Sequence, residues 1–130
     1  MTKIKITDSM KEFLTKKGLT AKSLLLNVDD GGKYSVSGGS CSIGDKFAIV
    51  YLDQDDPDYP IAVENNAGLN LHTSKYTLTF FTDGLVLDTK GTSVVLRDNS
   101  GMKDGAVNVV DGAKILAQNS QGMTGPAKSC

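Results

Sequence analysis

Residues 77–97 read TLTFFTDGLVLDTKGTSVVLR. Three apolar runs, 77–81, 85–88 and 93–97, are split by Asp83-Gly84 and Lys90-Gly91. A glycine at such a point accepts the positive φ that a tight hairpin requires, so each pair predicts an antiparallel turn. Asp111-Gly112 repeats the signal between 107–110 and 114–117. The expectation is an antiparallel meander and a mostly β chain.

Working toward the N-terminus, residues 3–7 alternate as KIKIT, a short strand with one apolar face. Ser9 and Glu12 match the S-x-x-E capping box. Met10, Phe13 and Leu14 then fall on one helical stripe. Lys16 and Lys17 suit the negative end of a helix dipole, and Gly18 is placed to stop the helix. This is the one helix expected, lying on a sheet. Strands are expected at 24–28 (LLLNV), 47–52 (FAIVYL), 61–63 and 69–73. Residues 29–42 form a loop rich in glycine and serine. The acidic turn DQDDPDY, 53–59, is kept out of a sheet by Pro57 and Pro60. The closing NSQGMTGPAKSC has no periodicity. The expected division is a domain at 1–118 and a flexible tail at 119–130.

A chain of 130 residues fits one domain and can bury a core without staples. Its net charge of -1 argues against a nucleic-acid surface. No apolar run approaches the ~20 residues that span a membrane, and the N-terminus lacks a signal-peptide core. A cytoplasmic protein is expected, in which thiols stay reduced and a Cys41–Cys130 disulfide is not formed.

Most catalytic patterns are absent: no phosphate-binding G-x-x-x-x-G-K-[ST], no G-x-G-x-x-G, no G-x-S-x-G. His72, the single histidine, alternates opposite to Leu69 and Leu71 and is expected at the surface. Asp53, Asp55, Asp56 and Asp58 lack the spacing of a calcium loop and read as a solvated turn. The two cysteines remain. Cys41 lies in VSGGSCSIG, among glycines whose backbone N–H groups are free to approach a thiolate or sulfide. Cys130 is the last residue. Two thiols are too few for a four-thiolate site in one chain, whereas two chains supply four. On these residues alone a shared [2Fe–2S] or metal site and two unrelated free thiols are both open.

The order of elements resembles the HesB-like, or A-type, iron–sulfur carrier family, in one of its divergent Gram-positive-type branches. The likeness runs from KIKITDSMKEFL through LLLNV, the glycine-flanked Cys41 and FAIVYLDQDDPD to SKYTLTFFTDGLVLDTKGTSVVLRDNSG, roughly residues 3–101. It implies a compact antiparallel or mixed β-sandwich or barrel-like fold with one N-terminal helix. It also implies a homodimer or homotetramer that binds iron or a [2Fe–2S] cluster and passes it between an assembly scaffold and apo iron–sulfur proteins. Such a protein is not an enzyme. Cys41 matches the family's first ligand, although G-C-x-G is here G-S-C-S-I-G. The C-terminal C-G-C is missing, and Cys130 stands in for it only by position. The alternative is a fold relative without a metal site, acting as a protein-interaction module. A third reading makes Cys41 a nucleophile activated by Lys33 or Lys46.

Overall fold

The computed structural model describes residues 2–28, 34 and 46–122, with backbone alone for 118–122. The strand β2 (Ser23–Val28, SLLLNV) is buried at every residue. A strand buried on both faces must have a layer on each side. Leu24, Leu26 and Val28 point into the main core with Phe47, Ile49, Leu87 and Leu96. Leu25 points the other way, into a smaller cluster with Tyr34, Ala48, Val50 and Tyr59. The neighbour β3 (Phe47–Leu52) runs antiparallel to β2, with Leu25 opposite Val50.

Nine strands make one mixed sheet among the described residues. From the N-terminus come β1 (Lys3–Ile6), β2, β3, β4 (Ile61–Ala62), β5 (Glu64–Asn65), β6 (Asn70–Thr73), β7 (Leu85–Lys90), β8 (Ser93–Asp98) and β9 (Gly101–Asp111). Their spatial order is β4-β6-β2-β3-β9-β8-β7-β1-β5. The two end strands are separated in sequence by Val63 alone. Val63 N donates to Leu71 O on β6 (2.8 Å), and Glu64 N donates to Thr2 O beside β1 (2.9 Å). Residues 61–65 therefore seam one end of the sheet to the other, giving the expected β-rich, barrel-like form.

The helix α1 (Asp8–Lys16) buries Met10 and Leu14, and Gly18 follows it at φ +70°. It begins earlier than the Ser9–Glu12 pattern predicts. Thr7 is the cap, its hydroxyl accepting from Met10 N. That hydroxyl also donates to Asp88 Oδ1 at 2.6 Å, and Ser9 Oγ donates to the same oxygen at 3.1 Å. Asp88 on β7 thus draws both hydroxyls to the sheet, a tertiary partner the local pattern does not contain.

Two further helices correct the meander. Residues 77–81 are not a strand: α2 (Lys75–Leu78) is capped by Ser74, whose hydroxyl accepts from Thr77 N at 3.1 Å. Phe80 and Phe81, which lend the segment its strand-like composition, instead pack on Phe47 with ring centroids at 6.0 and 5.0 Å. Asp111-Gly112 is not a hairpin either. Asp111 Oδ1 accepts from Ala113 N and Lys114 N, at 3.1 and 3.4 Å, and caps α3 (Gly112–Gly122). Residues 114–117 are accordingly helical, and α3 continues through Gly122. Gly112 is required by contact: a Cβ there would overlap Leu52 Cδ2 and lie 2.8 Å from Val50 Cγ1. The Lys90-Gly91 hairpin forms as expected, with Gly91 at φ +64° joining β7 to β8. No helix among the described residues is long and apolar enough to cross a membrane.

Candidate functional site

Cys41 and Cys130, the expected ligands, lie outside the described residues, as does Lys33. What the structure places is the frame of the connection that carries Cys41, between β2 and β3. Its exit is pinned by a buried carboxylate. Asp104 accepts from Phe47 N (2.8 Å), Lys46 Nζ (3.1 Å) and Ala106 N (2.9 Å). Lys46 Nζ also donates to Ala106 O at 3.0 Å. Lys46, one of the two ammonium groups that the nucleophile reading names, is therefore engaged with β9.

Tyr34, inside the same connection, is fixed against the smaller core. Its hydroxyl donates to Asp56 Oδ2 at 2.5 Å, and its ring lies 5.8 Å from that of Tyr59. Burial, and then the Asp56 hydrogen bond, push the Tyr34 hydroxyl far above its ordinary pKa. It is a neutral donor at physiological pH. Asp56 Oδ1 accepts from Asp58 N at 2.9 Å, so one carboxylate shapes the acidic turn and holds Tyr34.

The acidic turn is only partly the solvated loop expected. Asp53, Asp55 and Asp58 are exposed, but Asp56 is buried. Lys22 pairs with Asp53 at 2.5 Å. Asp55 Oδ1 accepts from Ser23 Oγ (2.6 Å) and Asn70 Nδ2 (2.8 Å). The Ser23 bond first, then the Asn70 bond, hold its carboxyl below the ordinary value against the opposing effect of burial, with a smaller contribution from His72.

His72 departs from its expectation. The alternation is right, since Leu71 faces the main core and His72 does not. That second face, however, is covered by the smaller apolar layer, and His72 sits opposite Leu25 in register. It is half-buried, with Nδ1 sealed from solvent and without a hydrogen-bond partner. Asn27, two residues along β2 on the same face, is 5% exposed. Its Oδ1 accepts from Tyr59 Oη at 2.8 Å, while its Nδ2 has no partner. Sequence reading passes over Asn27. The one available signal is an amide in an otherwise apolar LLLNV strand. Among the described residues no group of three or more His, Cys, Asp or Glu could hold a metal ion.

These features define a class: a mixed, nearly closed β-sheet in which the neighbouring strands β2 and β3 are joined by a glycine-rich, cysteine-bearing connection with anchored shoulders. Residues 2–111 match the family described as iron–sulphur cluster biosynthesis. The chain belongs to that family. Two crystal structures are similar to it, both of proteins provisionally named for Fe–S biosynthesis. The one from Lactobacillus acidophilus is 32% identical, with a TM-score of 0.80, covering 92% of this chain and 97% of its own. The one from Lactobacillus salivarius, described as having a novel fold, is 26% identical, with a TM-score of 0.60, covering 84% and 97%. Among curated proteins none matches.

Proposed function

We propose that this protein is a carrier that binds iron or a [2Fe–2S] cluster through Cys41 and delivers it to apo-proteins without turnover chemistry of its own. Cys130 serves as a second ligand, and a homodimer or homotetramer brings together the four thiolates that a [2Fe–2S] cluster takes. The partners are an assembly scaffold and apo iron–sulfur proteins. The supporting observation is the frame around the Cys41 connection in a chain of the iron–sulphur cluster biosynthesis family. Tyr34 on Asp56 and Lys46–Phe47 on Asp104 fix both shoulders of that connection. Anchored shoulders hold a ligand near its site, while a small ligand set keeps the cargo exchangeable by an incoming thiolate.

The test is anaerobic reconstitution with iron and sulfide, followed by visible absorption, on wild type, Cys41→Ser and Cys130→Ser. The proposal expects a cluster band in wild type that is lost in both variants. Loss in Cys41→Ser alone removes Cys130 from the ligand set. A colourless wild type defeats the carrier reading. It would favour the interaction module, the reading that the missing C-terminal C-G-C supports.

A further inference from the structure

Four neighbouring strands place four side chains in one line. Lys5 on β1 is in register with Val86 on β7, Val86 with Arg97 on β8, and Arg97 with Met102 on β9. Their sequence neighbours Ile4, Ile6, Leu87 and Leu96 point into the main core, so by strand alternation the line faces outward. Lys5 and Met102 are exposed, Met102 at 57%, and Val86 and Arg97 are half-buried. In the adjoining row Val95, opposite Asp88, is only 4% exposed, so the opening belongs to this line. The line alternates cation, apolar, cation, apolar. Lys5 has no partner among the described residues. Arg97 gives one nitrogen to Asp88 at 3.3 Å, and its side chain is 43% exposed. Two carboxylates lie nearby, and both are occupied. Asp88 also accepts from Thr7, Ser9 and Thr89 N, and Glu64 pairs with Lys3 at 3.4 Å. Beyond Lys5 the line opens into a cleft of about 810 Å³ whose walls include Ile4 and Leu85.

We infer that this line docks an acidic amphipathic helix of a partner protein, laid across the strands. Spacing selects the helix. Neighbouring strands lie about 4.8 Å apart, and one helical turn rises about 5.4 Å. Lys5 and Arg97, two strands apart, are therefore about 10 Å from each other at the backbone, close to the span of helix positions i and i+7. Carboxylates at those positions meet the two cations. An apolar residue at i+3 or i+4 then meets Val86, and one at i+10 or i+11 meets Met102. An apolar side chain from the turn before i enters the cleft beside Lys5. An extended segment repeats one face every ~6.8 Å and falls out of step with the strands. Duplex nucleic acid carries a charge every ~1.7 Å of its axis, far denser than two cations split by a valine. The inference goes beyond the carrier reading and does not depend on it, since a delivering carrier and an interaction module both need a docking face.

The probe is a synthetic helical peptide of about 15 residues with Glu at i and i+7 and Leu at i+4 and i+11. It is titrated into the ¹⁵N-labelled full chain, and the backbone amides are followed by NMR. Saturable shifts are expected along Lys5, Val86, Arg97 and Met102, with none from the same peptide carrying Lys in place of Glu. Lys5→Glu changes an exposed residue without a partner, so the fold should stand. It should weaken the Glu peptide about tenfold or more, and a peptide with Lys at the matching position should restore binding. An absence of shifts along the line overturns the proposal. Equal binding by a peptide of the same composition in scrambled order overturns the helical register. Tighter binding at the same amides by a DNA duplex, or by vesicles of phosphatidylglycerol, overturns the protein occupant. No iron enters this readout, so the docking line and the carrier reading can each fail alone.

Discussion

Replacing Asp104 tests whether the exit of the Cys41 connection is held as described. The carboxylate is 4% exposed and accepts from two backbone N–H groups and the Lys46 ammonium. Alanine leaves Phe47 N without its acceptor at a residue that is fully buried. An unsatisfied buried N–H costs about 1–3 kcal/mol, and losing the charge-assisted bond from Lys46 adds about 1–2. The Lys46 side chain is 29% exposed and recovers part of its loss through water. Asp104→Ala should therefore destabilise the fold by about 3–4 kcal/mol, a large share of the ~5–15 that a domain has. Asp104→Asn keeps an oxygen for Phe47 N but turns an amide NH2 toward Ala106 N and Lys46 Nζ, which bond the other oxygen, and should cost about 2–3 kcal/mol. Urea unfolding with unchanged m-values measures both. A double-mutant cycle with Lys46→Met separates the ion pair from the backbone bonds. If Asp104→Ala lies within about 1 kcal/mol of wild type, the carboxylate is not holding β3 to β9 and the reasoning fails.

Gly112→Ala should cost about 1–3 kcal/mol in thermal or chemical unfolding, because its Cβ forces Leu52 and Val50 out of place where α3 starts. Asp88 carries an acid dependence. Its carboxyl is lowered to about 2, first by the Thr7 hydroxyl, then by Thr89 N, Arg97 and Ser9 against the opposing effect of burial. A lowered folded-state pKa gives stability that is present above the ordinary carboxylate range and is lost as pH falls from about 4 toward 2. Screening at a side chain 25% exposed limits the loss to about 1–2 kcal/mol. Asp88→Asn should flatten that stretch of the stability–pH curve, and an acid limb as steep as wild type would remove Asp88 as its source.

The parts legible in the sequence are those whose information is local. KIKI, FAIVYL and the Met10–Leu14 stripe carry their own periodicity, and Lys90-Gly91 carries its own turn. The misread parts are decided by partners far along the chain. Segment 77–81 has strand composition because Phe80 and Phe81 serve Phe47, thirty-odd residues away, while the short S-x-x-T cap at Ser74–Thr77 decides the backbone. Asp111-Gly112 has the residues of a hairpin, but Gly112 lies hard against Leu52 on β3, and the aspartate caps a helix instead. The parallel pairing of β9 with β3 leaves no mark in either strand. At the candidate site the sequence picks out Cys41 and Cys130 but not their setting. Tyr34, Asp56 and Asp104 become legible only when the fold brings them together, and His72 is assigned to the right face but the wrong environment.

The seam at residues 61–65 limits how the molecule can meet another chain. An open sheet offers unpaired backbone at its edges, to which a foreign strand can add. Here the end strands are two residues each and continuous through Val63, so one pentapeptide occupies both margins. Among the described strands, recognition by strand addition at the sheet margins is thereby disfavoured. The same economy concentrates risk. A single cut or local opening between Ile61 and Asn65 would bare β6 and β1 together, turning a closed surface into two adhesive margins at once.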